Sequence, residues 1–174
     1  MSRMPPSSSR QDDPRIIVLD LLEAVLVRKR LLDESLDRDP RLGKLSERDR
    51  AFARLLVATT LRRLGQIDQS IGRCLDRDLP AKAIRVRNML RIGAAQLLFL
   101  QTPPHAAIST TVDLAKNSPL AGFAKLINAV LRRLDREGRA WVAEQDAGRL
   151  NTPAWLWDSW VAAHGPDTAA AIAA

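Results

Sequence analysis

The sequence has one cysteine, Cys74, and two histidines, His105 and His164. A single thiol excludes a disulfide framework, and one thiol with two imidazoles is too few for a Cys-based zinc centre. No G-x-x-x-x-G-K-[ST] or G-x-G-x-x-G stretch occurs, so the glycine-rich loops that cradle nucleotide phosphates are absent. No run of about 18 apolar residues exists, which argues against a membrane span. The opening "MSRMPPSSSRQDDP" has no apolar h-region, so no secretory leader is expected. With one cysteine and no leader, a reducing, cytoplasmic location and no membrane partner are expected. Alternation of apolar and polar residues is missing throughout, and this excludes a half-exposed sheet.

What is present is basic charge and helical periodicity. The chain of 174 residues carries 27 Lys and Arg against 20 Asp and Glu, a net charge of +7. From Arg48 to Arg91 eleven basic residues face four acidic ones, whereas beyond residue 139 a single Arg149 faces four acids. The charge is mostly arginine, which can grip a phosphate with two hydrogen bonds and stack on bases. For any one arginine a solvated helix face explains the charge. A concentration of this kind points instead to an anionic partner, with nucleic acid the first candidate.

Residues 1–13, rich in Ser and Pro, read as a disordered tail. Asp13-Pro14 reads as an N-cap with Pro at the first helical position. The helix that follows is predicted to run to about residue 30. "LLDESLDRDPRLGKL" is predicted to continue as helix until Pro40 breaks it. Ser46 should start another helix, with Asp49 as its capping partner and Phe52, Leu55, Leu56 and Thr59 as the buried stripe. After Gly65 a shorter helix puts Ile67, Ile71 and Leu75 inward, and Pro80 breaks the chain again. Residues 82–100 are the most apolar, with Val86, Met89, Leu90, Gly93, Ala94, Leu97 and Leu98 on one face. The small residues Gly93, Ala94 and Ala95 suit close approach of a neighbouring helix. "TPPHAAISTTVDLAK" opens a further helix with prolines at its first turn.

In "GFAKLINAVLRRLDREG", Phe123, Leu126, Ile127, Val130, Leu131 and Leu134 form one face, and Lys125, Arg132, Arg133 and Arg136 lie on the other. After Gly138 the texture changes, and all four tryptophans (Trp141, Trp155, Trp157 and Trp160) follow it. They are expected to pack the C-terminal helices, Trp157 and Trp160 sharing a face; base stacking is the alternative. The expected architecture is an all-α core of six to eight helices over residues 14–139, with a helical appendage at 140–174.

No active site is visible. His105 has no base or nucleophile near it in sequence. Cys74 reads as a small core residue. Asn128, close to the apolar stripe, reads as a buried amide bonded to backbone, or else as an RNA contact.

"ARLLVATTLRRLGQIDQSI", "RNMLRIGAAQLLFL", "PPHAAISTTVDLAK" and "FAKLINAVLRRL" occur in this order. Together they resemble the helical domain of the NusB family, and more closely the N-terminal domain of the RsmB/Sun family of 16S rRNA cytosine-C5 methyltransferases. The continuation through "NTPAWLWDSWVAAHG" favours the latter, because it is similar to the linker that leads to the methyltransferase core.

The resemblance, over roughly residues 15–165, implies a bundle of two three-helix subdomains that binds 16S rRNA on its basic surface. It also implies that residues 140–174 lead toward a catalytic domain absent from this sequence, where S-adenosylmethionine would bind; no cofactor is expected in this chain. The end "DTAAAIAA" has no C-cap, which fits a chain cut within or just after a helix. On this reading the RNA contacts fall to Arg15, Arg62 and Arg63, Arg85 and Arg87, and Arg132 and Arg133. A stand-alone antitermination-type RNA-binding module, and a scaffold whose charge is incidental, are the alternatives.

Overall fold

The computed structural model describes residues 13–173, and among these every regular element is a helix. The N-terminal stretch expected to be disordered lies, apart from Asp13, outside the described residues. The chain forms two compact units, residues 1–58 and 59–174, and the division falls inside one helix.

In the first unit, α1 (Pro14–Leu26) begins where the sequence indicates. The Asp13 carboxylate accepts a hydrogen bond from the Arg15 backbone N–H at 2.9 Å, and Pro14 sits at the first turn. Such a cap is worth about 1 kcal/mol. Ile17, Val18, Leu19, Leu21 and Leu22 are buried, each contributing about 1.5–3 kcal/mol of apolar transfer.

The helix stops at Leu26, not near residue 30. Lys29 adopts the left-handed conformation (φ 55°), and its ammonium donates to the Leu26 carbonyl at 2.9 Å. A Lys at a left-handed position carries no sequence signal, since Gly or Asn is usual there. α2 (Leu32–Arg38) follows. Pro40 then opens α3 (Pro40–Lys44) instead of only ending a helix, because Asp39 caps it by accepting from the Arg41 N–H at 3.0 Å.

α4 (Glu47–Arg62) is started by Ser46, whose hydroxyl accepts from the Asp49 N–H at 3.1 Å and donates to the Asp49 carboxylate at 2.8 Å. Its buried stripe is Ala53, Leu56, Val57 and Thr60, one position from the predicted one. Leu55 is 54% exposed, and Phe52 and Thr59 are half-buried. The small Ala53 and the polar Thr60 hid the true face.

In the second unit, α6 (Ile84–Leu98), α7 (Pro104–Lys116) and α8 (Ala124–Glu144) pack on one another, with α5 (Leu64–Gly72) against α6 and α8. Val86, Met89, Leu90, Gly93, Ala94 and Leu97 are buried on α6; Ile127, Val130, Leu131 and Leu134 are buried on α8. A Cβ added at Gly93 would lie 2.7 Å from the Leu131 side chain, so the small residue admits α8 as expected. Leu75 lies in the turn after α5 and is half-buried.

α8 runs unbroken through Gly138 to Glu144, and three shorter helices follow: α9 (Ala147–Asn151), α10 (Ala154–His164) and α11 (Pro166–Ala173). α9 is seated on α5. A Cβ at Gly65 would collide with the Leu150 carbonyl, so only glycine fits. Asn151 caps α5 by accepting from the Gln66 N–H at 3.1 Å and donating to the Gln66 side chain at 2.9 Å. The Gln145 amide donates to the Gln66 carbonyl at 3.1 Å and to the Gln69 side chain at 2.9 Å.

Candidate nucleic-acid interface

The arginines of the bundle divide by what they touch. Arg91 on α6 is an internal strut: its guanidinium meets the Asp68 carboxylate with two bonds of 2.8 and 2.7 Å and reaches the Asn88 side chain at 2.8 Å. Its side chain is 10% exposed, so none of its charge is available outside. Arg41 in the first unit, though its side chain is 36% exposed, is likewise held by carboxylates. It bonds both Asp39 oxygens at 3.0 and 2.7 Å and Asp20 at 2.7 Å. Its hydrogen bond with Asp39 holds that carboxyl below the ordinary carboxylate range and pushes the guanidinium further up. Counting charge along the sequence does not separate Arg91 from the rest, because its partner Asp68 lies 23 residues away; Arg41 has one partner, Asp39, two residues away and another, Asp20, 21 away.

The sequence candidates fall into three groups. Arg15 is turned in over the Phe52 ring at 4.9 Å, with its side chain 16% exposed, which leaves little of it for a phosphate. Arg85 and Arg87 are half-buried, and Arg87 is paired with Asp78 at 3.2 Å. Arg62, Arg63, Arg132 and Arg133 stand at the surface of the second unit.

Among these four, Arg62, Arg63 and Arg132 have no carboxylate partner among the described residues. Arg62 is exposed at the last turn of α4. Arg63 lies over the Phe99 ring at 5.5 Å and donates to the Gln66 side chain at 3.2 Å. Arg132 donates to the Asn128 side chain at 3.3 Å and lines a groove of about 650 Å³ between α7 and α8, which His105, Lys116 and the acidic Asp113 and Asp135 also line. Asn128 thus lines this groove half-buried, its side-chain oxygen accepting from Arg132 instead of being buried as expected.

Arg133 is partly neutralised by Glu137 at 3.2 Å. It belongs to a cluster that the sequence reading passed over. Arg133 and Arg73 each lie 5.5 Å from the Trp141 ring, and Arg136 is beside Glu137 at 3.8 Å. The spacing of Arg133, Glu137 and Trp141, four residues apart, was the available signal. Cation–π contact of this kind holds guanidinium groups in place without neutralising them. Cys74 sits next to this cluster, half-buried, and burial is the main cause that pushes its thiol up. A thiol held protonated is a poor nucleophile.

The tryptophans depart from the packing expectation. Trp155 is 72% exposed, and Trp141, Trp157 and Trp160 are only half-buried; Trp157 lies 5.2 Å from Arg149. Among the described residues no three His, Cys, Asp or Glu side chains gather as metal ligands, and no helix is long and apolar enough to cross a membrane.

What the surface of the second unit offers is therefore a set of guanidinium groups without carboxylate partners among the described residues, Arg62, Arg63 and Arg132, of which Arg63 lies over an aromatic ring. Surface guanidinium groups of this kind suit phosphate, for which affinity is salt-dependent and little selective for sequence.

Comparison with known proteins agrees with the bundle. The NusB family model matches residues 12–136. The protein named ribosomal RNA small subunit methyltransferase B of Xanthomonas campestris is 40% identical over 114 residues, 66% of this chain and 25% of that protein. Its namesake in Shewanella oneidensis is 33% identical over 111 residues, 64% of this chain and 26% of that protein. The one in Escherichia coli O1:K1 is 32% identical over 149 residues, 84% of this chain and 34% of that protein. The chain thus spans about a quarter to a third of the length of the relatives it matches.

Proposed function

Because the chain belongs to the NusB family, we propose that it is the RNA-binding, substrate-positioning N-terminal part of an S-adenosylmethionine-dependent 16S rRNA (cytosine-C5) methyltransferase. The single observation that carries this reading is that Arg62, Arg63 and Arg132 stand at the surface of the second unit with no acidic partner among the described residues. The relatives' names supply the substrate class. They also favour it over the stand-alone antitermination module, which shares the family but not those names.

In this reading the guanidinium groups bind the rRNA backbone and fix its orientation, while shape and single-stranded elements give selectivity. Residues 13–173 do not fit S-adenosylmethionine: they contain no strand followed by a glycine-rich turn at which the cofactor could sit. In this reading methyl transfer belongs to a catalytic domain outside this chain, toward which residues 140–174 lead. Solvent-exposed cytoplasmic work on a ribosomal precursor is the setting proposed.

The test is fluorescence anisotropy of the chain against a labelled 16S rRNA hairpin, a scrambled single strand and a duplex DNA at two salt concentrations. The reading requires preference for the hairpin and a salt-dependent affinity. Equal binding to all three would reduce it to general polyanion affinity, and binding to none would remove it.

A further inference from the structure

A second basic feature lies wholly in the first unit, apart from the residues assigned above. A hollow of about 300 Å³ is bounded by the end of α1, the turn 27–31, α2 and the start of α3. Its construction begins at the turn. The Arg28 N–H bonds the Glu23 carbonyl and the Arg30 N–H bonds the Ala24 carbonyl, at 3.1 and 3.0 Å, which wraps the chain back over α1. The left-handed Lys29 between them is held by its own bond to Leu26. Residues two apart would ordinarily diverge; this turn brings both Arg28 and Arg30 to the wall of one hollow.

The charge there is only partly spent. Asp20 and Asp39 on one side are both occupied by Arg41 at 2.7 Å. Arg38, from the opposite wall, meets Glu34 at 3.8 Å with both side chains largely exposed, a pairing worth little. Arg28 has one backbone acceptor, the Asp20 carbonyl at 3.3 Å. Arg30 has no side-chain partner among the described residues. Two exposed guanidinium groups with free donors at a concave site fit a tetrahedral oxyanion better than they fit bulk solvent, because the planar fork matches two phosphate oxygens.

We propose that Arg28 and Arg30 form a phosphate-binding site in this hollow, with Arg38 as a third donor. The ligand is a phosphate group. It can belong to a polynucleotide backbone or be free inorganic phosphate. The site stands whether or not the surface of the second unit binds RNA.

The experiment follows the arginine Nε–Hε resonances of the full chain, labelled with ¹⁵N. Inorganic phosphate is titrated against chloride at fixed ionic strength, and a mixed-sequence oligoribonucleotide is titrated separately. The expected result is saturable shifts of Arg28 and Arg30 with phosphate beyond those with chloride. In R28Q/R30Q, the response of the Ser35 and Arg38 amides should weaken by about tenfold or more, as two charge-assisted bonds are lost. Shifts with both titrants assign the site to the RNA backbone; shifts with phosphate alone support the site and assign it to a free phosphate. Equal responses to phosphate and chloride would overturn the proposal, as would an R28Q/R30Q chain that keeps its helical circular dichroism and an unchanged phosphate response. R62Q/R132Q serves as the control: it should lower oligonucleotide binding and leave the phosphate shifts intact, so the two readings fail separately.

Discussion

Arg91 and Arg132 are both arginines on helices of the same unit, yet one is a strut and the other a surface donor. Arg91 is enclosed between α5 and α6 with the Asp68 carboxylate filling its fork; Arg132 stands on α8 with only an amide beside it. The difference shows that basic residues counted along a sequence do not measure binding capacity. Burial and an acidic partner convert charge into structure, and their absence leaves it for a ligand.

The comparison breaks first at the strut. Arg91→Met leaves the part-exposed Asp68 carboxylate and the buried Asn88 side chain without their partner, and should cost about 1–3 kcal/mol, read as a lowered urea midpoint. The same substitution at Arg132 should change stability by less than about 0.5 kcal/mol and leave that midpoint nearly unmoved.

Gly65→Ala comes next. Its methyl group must displace the Leu150 backbone, at a cost of roughly 1–3 kcal/mol. Hydrogen exchange should then rise at residues 145–151, where Gln145 and Asn151 clasp α5. Exchange unchanged there would mean that α9 is held by something other than that clasp.

The third test is one of pH at Arg41. Asp39 has a depressed carboxyl pKa in the folded state, chiefly from its hydrogen bond with Arg41. The stability it contributes is fully present above the ordinary Asp value of about 3.9 and is lost as pH falls through the lower folded value. Urea midpoints of the wild type and D39N should therefore differ at pH 6 and converge toward pH 3. A constant gap would remove the linkage.

The smallest expected effect separates two neighbours on α8. Arg133→Gln should weaken RNA binding less than Arg132→Gln, because Glu137 already neutralises part of the Arg133 charge. Anisotropy titrations of the two single variants compare them directly.

Much of the second unit was legible. The 3.6-residue periodicity of α6 and α8 gave the buried faces, and Gly93 gave their close approach, because large apolar residues repeat there without interruption. The first unit was harder. Nothing in "VRKRLL" announces a left-handed Lys29, so the sequence alone carries α1 past its true end at Leu26. On α4 the buried Ala53 and Thr60 carry too little hydrophobicity to mark a face, and the larger Leu55 drew the reading one position away. Among the interface candidates, exposure at Arg62 and Arg132 followed from helix geometry. The inward turn of Arg15 over Phe52 and the Asp78 pairing of Arg87 depend on contacts 37 and 9 residues apart, to which periodicity is blind.

The most direct test of the central claim is the salt dependence of hairpin-rRNA binding by the wild type and by R62Q/R132Q, both checked for an unchanged urea midpoint. If these two arginines contact phosphates, the double variant binds more weakly. The slope of log affinity against log salt then falls by about 1.4–1.8, near 0.7–0.9 for each contact removed. An unchanged slope and affinity in a folded double variant would contradict the account, and the arginines without acidic partners would then be solubility charge alone.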